Sequence, residues 1–379
     1  MTARFKFVFL GLSITSSWGN GHATTYRALL KNLRARGHDV TFLERDLSFY
    51  AENRDLPEPS FCRTHLYGSV EELQDRFAHD LRDADLVIVG SYVPDGIRVG
   101  DWVLDLAPGR AAFYDIDTPI TLERLARGEA TYITRQQVAR YALYLSFTGG
   151  PTLARIEREL GSPCARALYC SVDPEVHWPE PAEPTWDLGY LGTYSADRQP
   201  ALERLLLGPA RAWKSGRFVV AGPQYPNDVA WPPNVERITH LAPNEHRRFY
   251  GAQRFTLNVT RKAMALAGWS PSVRLFEAAA CGTPIISDRW PGLEEIFASG
   301  DEILVADEAA DVLRILTELG EDERKRLAIN ARRRILSQHT SMHRAETLEA
   351  HTRERFERHA RRARLPTARA RTRSGTSTM

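Results

Sequence analysis

The residues best suited to chemistry lie in one stretch of eighteen residues, Ser270 to Ser287, with the sequence SPSVRLFEAAACGTPIIS. Ser270 is a favourable N-cap and Pro271 suits the first helical position, so the sequence predicts a helix that begins there. Gly282 and Pro284 end that helix, and a buried strand follows. The free N–H groups and the dipole at a helix amino end favour an anion. The stretch therefore predicts a phosphate site.

Three further side chains extend this predicted phosphate site. Ser272 lies at the helix entry, and Arg274 adds a cation in the first turn. Glu277 follows on the same face as Arg274, where its carboxylate can accept hydrogen bonds from both hydroxyls of a ribose. The alternative interpretation is an ordinary amphipathic helix with an exposed Arg–Glu pair. The functional interpretation predicts a bound nucleoside diphosphate.

Length and composition indicate a globular protein of two domains. The chain has 379 residues, of which 43% are hydrophobic and 26% charged. The longest apolar run near the start, Phe7 to Leu12, is too short to span a membrane or to form a signal-peptide core, so we expect a cytoplasmic protein. The four cysteines lack C-x-x-C spacing, which argues against a zinc site or a disulfide framework.

The carboxy-terminal segment carries an excess of positive charge. His351 to Met379 contains nine arginines against two glutamates. Such a segment could touch an anionic surface. However, arginine is the default cation of this chain, with only five lysines in it. We therefore predict a solvated, disordered tail over residues 363–379, and no nucleic acid partner.

Two successive runs of alternating strands and helices predict an α/β fold with two Rossmann-like domains that face each other across a cleft. The first run begins with the strand Phe5 to Leu10, a polar glycine loop and a helix through Arg36. The loop holds Gly19-x-Gly21, which lacks the spacing of a dinucleotide fingerprint, so no nicotinamide cofactor is expected. The predicted units are a first Rossmann-like domain at 1–172, a linker at 173–184, a second Rossmann-like domain at 185–340, and a helix at 341–362 that packs back on the first domain.

The second run resembles the donor domain of GT-B glycosyltransferases. LGYLGTYSADRQ, from Leu188 to Gln199, is similar to their first strand and loop, with Arg198 at the place of the cation that holds the diphosphate. The stretch from Ser270 resembles the segment of the large E-x7-E group, and Glu277 matches its second glutamate, which binds the ribose. The first glutamate would fall at position 269, which is Trp269.

Seven blocks in order resemble one family more closely. They are WGNGHATTYRALLKNLRARGHDVTFLERD, YDIDTPITLERL, LSFTGGPTLARIERELG, YCSVDPEVHWP, LGTYSADRQP, LNVTRKAM and SPSVRLFEAAACGTPIISD. These blocks are similar to the CgeB-like, spore-maturation type glycosyltransferases. The resemblance implies a GT-B fold and sugar transfer. We expect the donor to be a nucleotide diphosphate sugar and the acceptor to be an unknown glycan, protein or small molecule, with no resident cofactor or metal.

The expected reaction assigns roles on both sides of the cleft. A leaving nucleoside diphosphate requires cations that are fixed in advance. Arg261 is expected to substitute for a second cation that related enzymes carry at the position of Thr193. The acceptor-side loop comprises Trp18, Gly19, Asn20, Gly21 and His22. His22 resembles the histidine that closes the glycine loop of the transferase that makes lipid II. We predict it to be the general base, with Asp115 or Asp117 orienting it or replacing it.

Other interpretations of these residues stay open. Asp115-Ile116-Asp117 spells D-x-D, the metal-diphosphate motif of the other main glycosyltransferase fold. The segment HLAPN is expected to hold the nucleobase through His240, Leu241 and Ala242, and it leaves uridine, guanosine and thymidine equally open. A nucleotide-sugar 2-epimerase of the same fold and a sugar-nucleotide-binding or coat-assembly protein without turnover are the alternative functions.

Overall fold

The structure, a computed structural model, describes residues 4–364, and side chains through residue 356. Its first domain is a seven-stranded parallel sheet with helices on both faces. The strands are β1 (Lys6–Gly11), β2 (Asp39–Arg45), β3 (Arg63–Tyr67), β4 (Leu86–Gly90), β5 (Ala111–Asp115), β6 (Leu143–Ser146) and β7 (Ala165–Ala167). The helices are α1 (Gly21–Ala35), α2 (Ser48–Ala51), α3 (Val70–Asp83), α4 (Gly96–Leu106), α5 (Thr118–Ala126), α6 (Arg135–Arg140) and α7 (Pro151–Leu160).

The second domain is a six-stranded parallel sheet with its own helices. The strands are β8 (Trp186–Leu191), β9 (Phe218–Ala221), β10 (Val235–Ile238), β11 (Gln253–Asn258), β12 (Ile285–Ser287) and β13 (Leu304–Val305). The helices are α8 (Gln199–Leu202), α9 (Gly208–Ala212), α10 (His246–Gly251), α11 (Lys262–Ala267), α12 (Val273–Ala280), α13 (Leu293–Ile296), α14 (Ala309–Glu318) and α15 (Glu321–Gln338), followed by α16 (Ser341–Arg364). A π-helical turn, Glu203–Leu207, joins α8 to α9.

Both sheets have the doubly wound strand order. The first reads β3-β2-β1-β4-β5-β6-β7 and the second β10-β9-β8-β11-β12-β13. Their central strands are buried on both faces, as in β4 and β9, because helices cover each side. In each sheet the order reverses beside its first strand, and ligands of such sheets bind outside the carboxyl ends of the strands at that point. The predicted fold of two Rossmann-like domains is confirmed.

The last helix crosses from the second domain to the first. In α16, Glu349 accepts hydrogen bonds from the Arg36 guanidinium at the end of α1. The Ser341 hydroxyl accepts from Asn32, and the buried Arg344 donates to the carbonyls of Tyr169 and Cys170. These contacts tie α16 to the first domain, and residues 365–379 of the predicted tail lie outside the described residues. No helix within residues 4–364 has both the length and the apolar character needed to cross a membrane.

Candidate active site

A cavity of about 440 Å³ lies between the two domains, at the loops that follow the strands of both sheets. Two side-chain contacts join the domains beside it. The Thr148 hydroxyl is 2.9 Å from the Ser270 hydroxyl, and the Cys170 thiol donates to the carbonyl of Pro271 over 3.2 Å. The segment that leads into α12 therefore forms part of the domain interface.

Most of the predicted site residues line this cavity. They are Gly19, Asn20, Gly21, His22, Asp117, Arg198, His240, Leu241, Arg261, Ser270, Ser272, Arg274 and Glu277. Two are not among the lining residues. The ring of Trp18 lies 4.7 Å from the ring of His240 across the domain boundary, and the backbone N–H of Ala242 donates to Glu245. The geometry thus brings thirteen side chains or backbone segments to one place.

The amino end of α12 differs from the prediction. The structure begins the helix at Val273 with Ser272 as N-cap, so the predicted N-cap at Ser270 is wrong. Ser270 is instead buried against Thr148 of the first domain, a contact that local helix preference does not report. The Ser272 hydroxyl makes no capping bond and donates to the Asn258 carbonyl oxygen over 2.8 Å. The first-turn N–H groups of α12 therefore keep no side-chain cap.

Asn258, at the end of β11, organises this end of the site, and the sequence-based prediction missed it. Its side-chain oxygen accepts from Ser272 and from the Arg274 guanidinium. Its amide nitrogen donates to Ser287 and Thr260. The sequence did carry a signal for it, a polar residue at the carboxyl end of the predicted apolar strand. Asn258 thus fixes both a serine and an arginine of the cavity wall.

Three arginines lie on the second-domain side of the cavity. Arg274 is buried, donates to the Leu191 carbonyl over 2.5 Å, and lies with its guanidinium 4.6 Å from the Tyr190 ring centre. Arg198 donates to the Tyr190 hydroxyl over 3.3 Å. Arg261 lies 3.5 Å from the Asp197 carboxylate. Burial would raise the pKa of Asp197, but the Ser195 hydroxyl and the Arg261 guanidinium lower it, so Asp197 is a carboxylate and partly neutralises Arg261.

Two glycines at the strand ends beside these arginines were also missed. Gly192 follows β8, and a Cβ there would meet the Arg274 guanidinium at 2.7 Å. Gly222 follows β9 with a φ of +141°, and a Cβ there would lie 2.1 Å from the Gly192 carbonyl oxygen. Both line the cavity. Only glycine allows the two loops to approach each other and the arginine this closely.

Glu277 is buried and ionised at the base of the cavity. Its carboxylate accepts from the Tyr250 hydroxyl over 3.2 Å and lies 3.7 Å from the rings of both His177 and His246. Burial alone would raise the pKa of Glu277, but the two imidazoles and Tyr250 lower it to about 2. The sequence predicted Glu277 as a site residue but did not identify His177, His246 or Tyr250 as its neighbours.

On the first-domain side of the cavity, His22 lies in the first turn of α1. Asn20 is the N-cap of α1, and its side chain accepts from the His22 backbone N–H over 3.1 Å, so His22 does not cap its own helix. Burial lowers the pKa of the His22 imidazole against the opposing effect of Asp117. The Asp117 carboxylate accepts from the Tyr92 hydroxyl over 2.8 Å, and the Tyr92 ring lies 5.4 Å from the His22 ring.

The two carboxylates of the D-x-D motif have different environments. Asp115 is fully buried and accepts from the hydroxyls of Tyr144 and Thr121 over 2.5 and 2.8 Å, whereas Asp117 lines the cavity. Burial raises the pKa of Asp115 to about 7. Asp115 is therefore held inside the first domain by its own hydrogen bonds, which disfavours a metal shared by the pair.

Trp269, at the position of the first glutamate of the E-x7-E pattern, belongs to the domain interface. It has a φ of +44°, and its backbone carbonyl accepts from the Gly149 N–H of the first domain. Its indole lies against Gly150 and Gly292, where a Cβ on either glycine would come within 2.6 Å of the ring. The indole thus lies between a glycine of each domain.

Comparison with known proteins agrees with this fold. Residues 198–350 match the family model described as "Glycosyl transferase-like". No curated protein matches the chain significantly. Similar solved structures include sucrose-phosphate synthase from Thermosynechococcus elongatus, with 15% identity and a TM-score of 0.66, covering 93% of this chain and 100% of that one. Anabaena HepE in complex with UDP and glucose has 14% identity and a TM-score of 0.67 over the same shares.

A further similar structure is an alpha-glucosyltransferase in complex with UDP and a 13-mer DNA, with 12% identity and a TM-score of 0.67 over 93% of this chain and 100% of that one. At these identities the likeness establishes the GT-B fold. The family match and the fold both support the predicted enzyme class, a glycosyltransferase. The finer resemblance to the CgeB-like family stays a prediction.

Proposed function

We propose that this chain is a glycosyltransferase that moves a sugar from a uridine diphosphate sugar to an acceptor hydroxyl without a metal ion. One observation carries the proposal. The uncapped amino end of α12, Arg274 and the ionised Glu277 line the same cavity as His22 of the opposite domain. Uridine is proposed because HepE and the alpha-glucosyltransferase are both described in complex with UDP.

The second-domain side of the cavity, the donor wall, would bind the diphosphate, the ribose and the base of the nucleotide separately. The diphosphate would lie against the first-turn N–H groups of α12, with Arg198, Arg261 and Arg274 as cations. The ribose hydroxyls would donate to Glu277, which is already ionised. The base would lie beside His240 and Leu241, which line the same cavity. These fixed cations supply the charge that a divalent ion supplies in metal-dependent transferases.

The first-domain side of the cavity, the acceptor wall, would supply the general base. In the transfer, the acceptor oxygen forms a bond to the anomeric carbon of the sugar as the bond from that carbon to the diphosphate oxygen breaks. The acceptor proton passes to the His22 imidazole, which is neutral at pH 7 because burial lowers its pKa. The negative charge that develops on the leaving diphosphate is stabilised by the arginines. Asp117 would orient the acceptor or the imidazole.

Ligand binding followed by turnover tests this proposal. The thermal stability of the chain is measured with UDP, GDP, dTDP and ADP, and a ligand at 100 times its Kd adds about 2.7 kcal/mol. Stabilisation by UDP is expected, and its absence at millimolar concentration contradicts the proposal. Turnover of UDP-sugars with glycan, peptide and small-molecule acceptors is then measured with and without EDTA. Full loss of turnover in EDTA contradicts metal independence, and interconversion of donors without an acceptor identifies an epimerase.

A further inference from the structure

Two histidines and a glutamate from three separate elements converge at the base of the cavity. His177 belongs to the segment between the domains, His246 to the first turn of α10, and Glu277 to α12. One ligand atom from each lies within 4.8 Å of the others. His177 Nε2 is 3.7 Å from one carboxylate oxygen of Glu277, and His246 Nδ1 is 3.7 Å from the other.

The environment of His177 points to a ligand rather than to ordinary packing. Its side chain is 3% exposed, and neither ring nitrogen has a hydrogen-bond partner within the described part of the chain. The 3.7 Å distance to Glu277 exceeds that of a hydrogen bond. Buried polar atoms almost always have a partner.

We propose that His177, His246 and Glu277 form a binding site for a divalent transition metal, for which zinc is the appropriate probe. Two imidazoles and one carboxylate are ligands that zinc prefers, at bond lengths of about 2.0–2.2 Å. Ligand atoms of a tetrahedral zinc at such lengths lie about 3.3 Å apart. The two histidine–glutamate distances here are 3.7 Å and no pair exceeds 4.8 Å, so small side-chain rotations would bring the three ligand atoms to that separation. His246 and Glu277 line the cavity, which leaves the fourth position open toward it.

The proposed metal shares its carboxylate with the proposed donor site. This consequence rests on the proposed function, because Glu277 is there the acceptor of the ribose hydroxyls. A carboxylate that coordinates zinc gives its lone pairs to the metal, and the metal occupies space at the wall that the ribose would approach. Zinc and the nucleoside diphosphate would therefore exclude each other, and transfer would run on the metal-free protein.

Calorimetric titration of the full chain with zinc alone tests the metal site without any nucleotide. We expect one zinc per chain in the wild type, and binding at least tenfold weaker in both His177→Gln and His246→Gln. His79→Gln is the matched control, because His79 is exposed on α3. Cobalt substituted for zinc is expected to give the visible absorption of a four- or five-coordinate site. Unchanged zinc affinity in the two variants, each shown to be folded by circular dichroism, overturns the proposal.

A second titration separates the metal site from the proposed function. UDP affinity is measured with and without one equivalent of zinc, in the wild type and in His177→Gln. Zinc is expected to weaken UDP binding at least tenfold in the wild type and to have no effect in the variant. Equal UDP affinity with and without bound zinc overturns the exclusion. Absence of UDP binding to the metal-free protein refutes the proposed function, whereas the zinc titration reports on the metal site in either case.

Discussion

The amino ends of α1 and α12 lie at the same cavity on opposite domains, and they differ in what occupies those ends. The Asn20 side chain caps α1, and its amide also donates to the Ser13 and Ser16 carbonyls, so this end is closed by its own loop. At α12, the Ser272 side chain makes no cap. Its hydroxyl is engaged by Asn258 instead. Of these two helix ends, that of α12 is therefore the one with first-turn N–H groups available to an external anion.

The charged side chains also differ between the two sides of the cavity. The donor wall has Arg198, Arg261 and Arg274 beside the ionised Glu277, whereas the acceptor wall has a neutral imidazole and Asp117. Both sheets are doubly wound, with seven strands in one and six in the other, and the difference in charge lies in the loops and helix ends that follow the strands. We therefore expect substitutions on the donor wall to change nucleotide binding and substitutions on the acceptor wall to change turnover.

Removal of the imidazole at position 22 is expected to have the largest effect. His22→Gln should lower the turnover number of sugar transfer by about 10²–10⁴-fold, the usual contribution of a general base. UDP affinity should stay within about twofold, because His22 lies on the acceptor wall. Turnover number and UDP affinity, measured on the same preparation, test this separation. A variant that loses UDP binding in parallel with turnover contradicts it.

The pH dependence of the wild type gives an independent test of the same base. A general base must be unprotonated, so the rate rises with pH through its pKa and then levels. Burial lowers the pKa of His22 below its ordinary value of about 6.5. The rising limb of kcat/KM is therefore expected below pH 6.5, with a plateau at pH 7. His22→Gln should lack this limb, and an unchanged limb in the variant would assign it to another group.

On the donor wall, Glu277→Gln is expected to weaken UDP binding by about 10–150-fold. Hydrogen bonds to a charged group contribute about 1.5–3 kcal/mol, and the amide retains the shape of the side chain but not its charge. Isothermal titration with UDP measures the effect. Glu294→Gln, at an exposed position on α13, is the matched control and should bind UDP as the wild type does. Equal affinities in wild type and Glu277→Gln would remove Glu277 from the ribose site.

Alanine variants of the two N-cap residues, Asn20 of α1 and Ser272 of α12, test whether the two helix ends differ in function. Asn20→Ala should lower the free energy of unfolding by about 1 kcal/mol, the usual cost of a lost N-cap, and leave UDP affinity within about twofold. Ser272→Ala should weaken UDP binding about three- to tenfold, since it releases Asn258 and the Arg274 that Asn258 holds. Denaturant unfolding and UDP titration give the two readouts. If both variants weaken UDP equally, the two helix ends do not differ in function.

Much of the fold could be predicted because its strands are continuous apolar runs that only a doubly covered sheet can bury. Leu86–Gly90 and Phe218–Ala221 are examples, because the apolar runs Leu86 to Val89 and Phe218 to Ala221 predict these strands to within one residue. The edge strand Arg63–Tyr67 was missed, because its sequence RTHLY has no such run and most of its side chains are only partly buried. An edge strand is specified by its neighbour in the sheet as much as by its own residues.

Parts of the site depend on contacts between distant segments and could not be predicted from local sequence. Ser270 and Ser272 are equally good N-caps by type, and the contact of Ser270 with Thr148, 122 residues away, decides between them. His177 and Glu277 come together although a hundred residues separate them, and a single histidine in a linker has no spacing to identify it. Local preference identified the helix, and contacts between distant segments determined its first residue and its neighbours.

The smallest predicted effect isolates one hydroxyl on the acceptor wall. Tyr92→Phe removes the donor to Asp117 but keeps the ring beside His22, so turnover should fall about two- to tenfold, as expected for one hydrogen bond. UDP affinity should not change. Tyr144→Phe is the matched control, because its hydroxyl donates to the buried Asp115, which does not line the cavity. That control should lower stability without lowering turnover. An equal fall in turnover in both variants would mean that the acceptor wall responds to general loosening of the first domain and not to the position of Asp117.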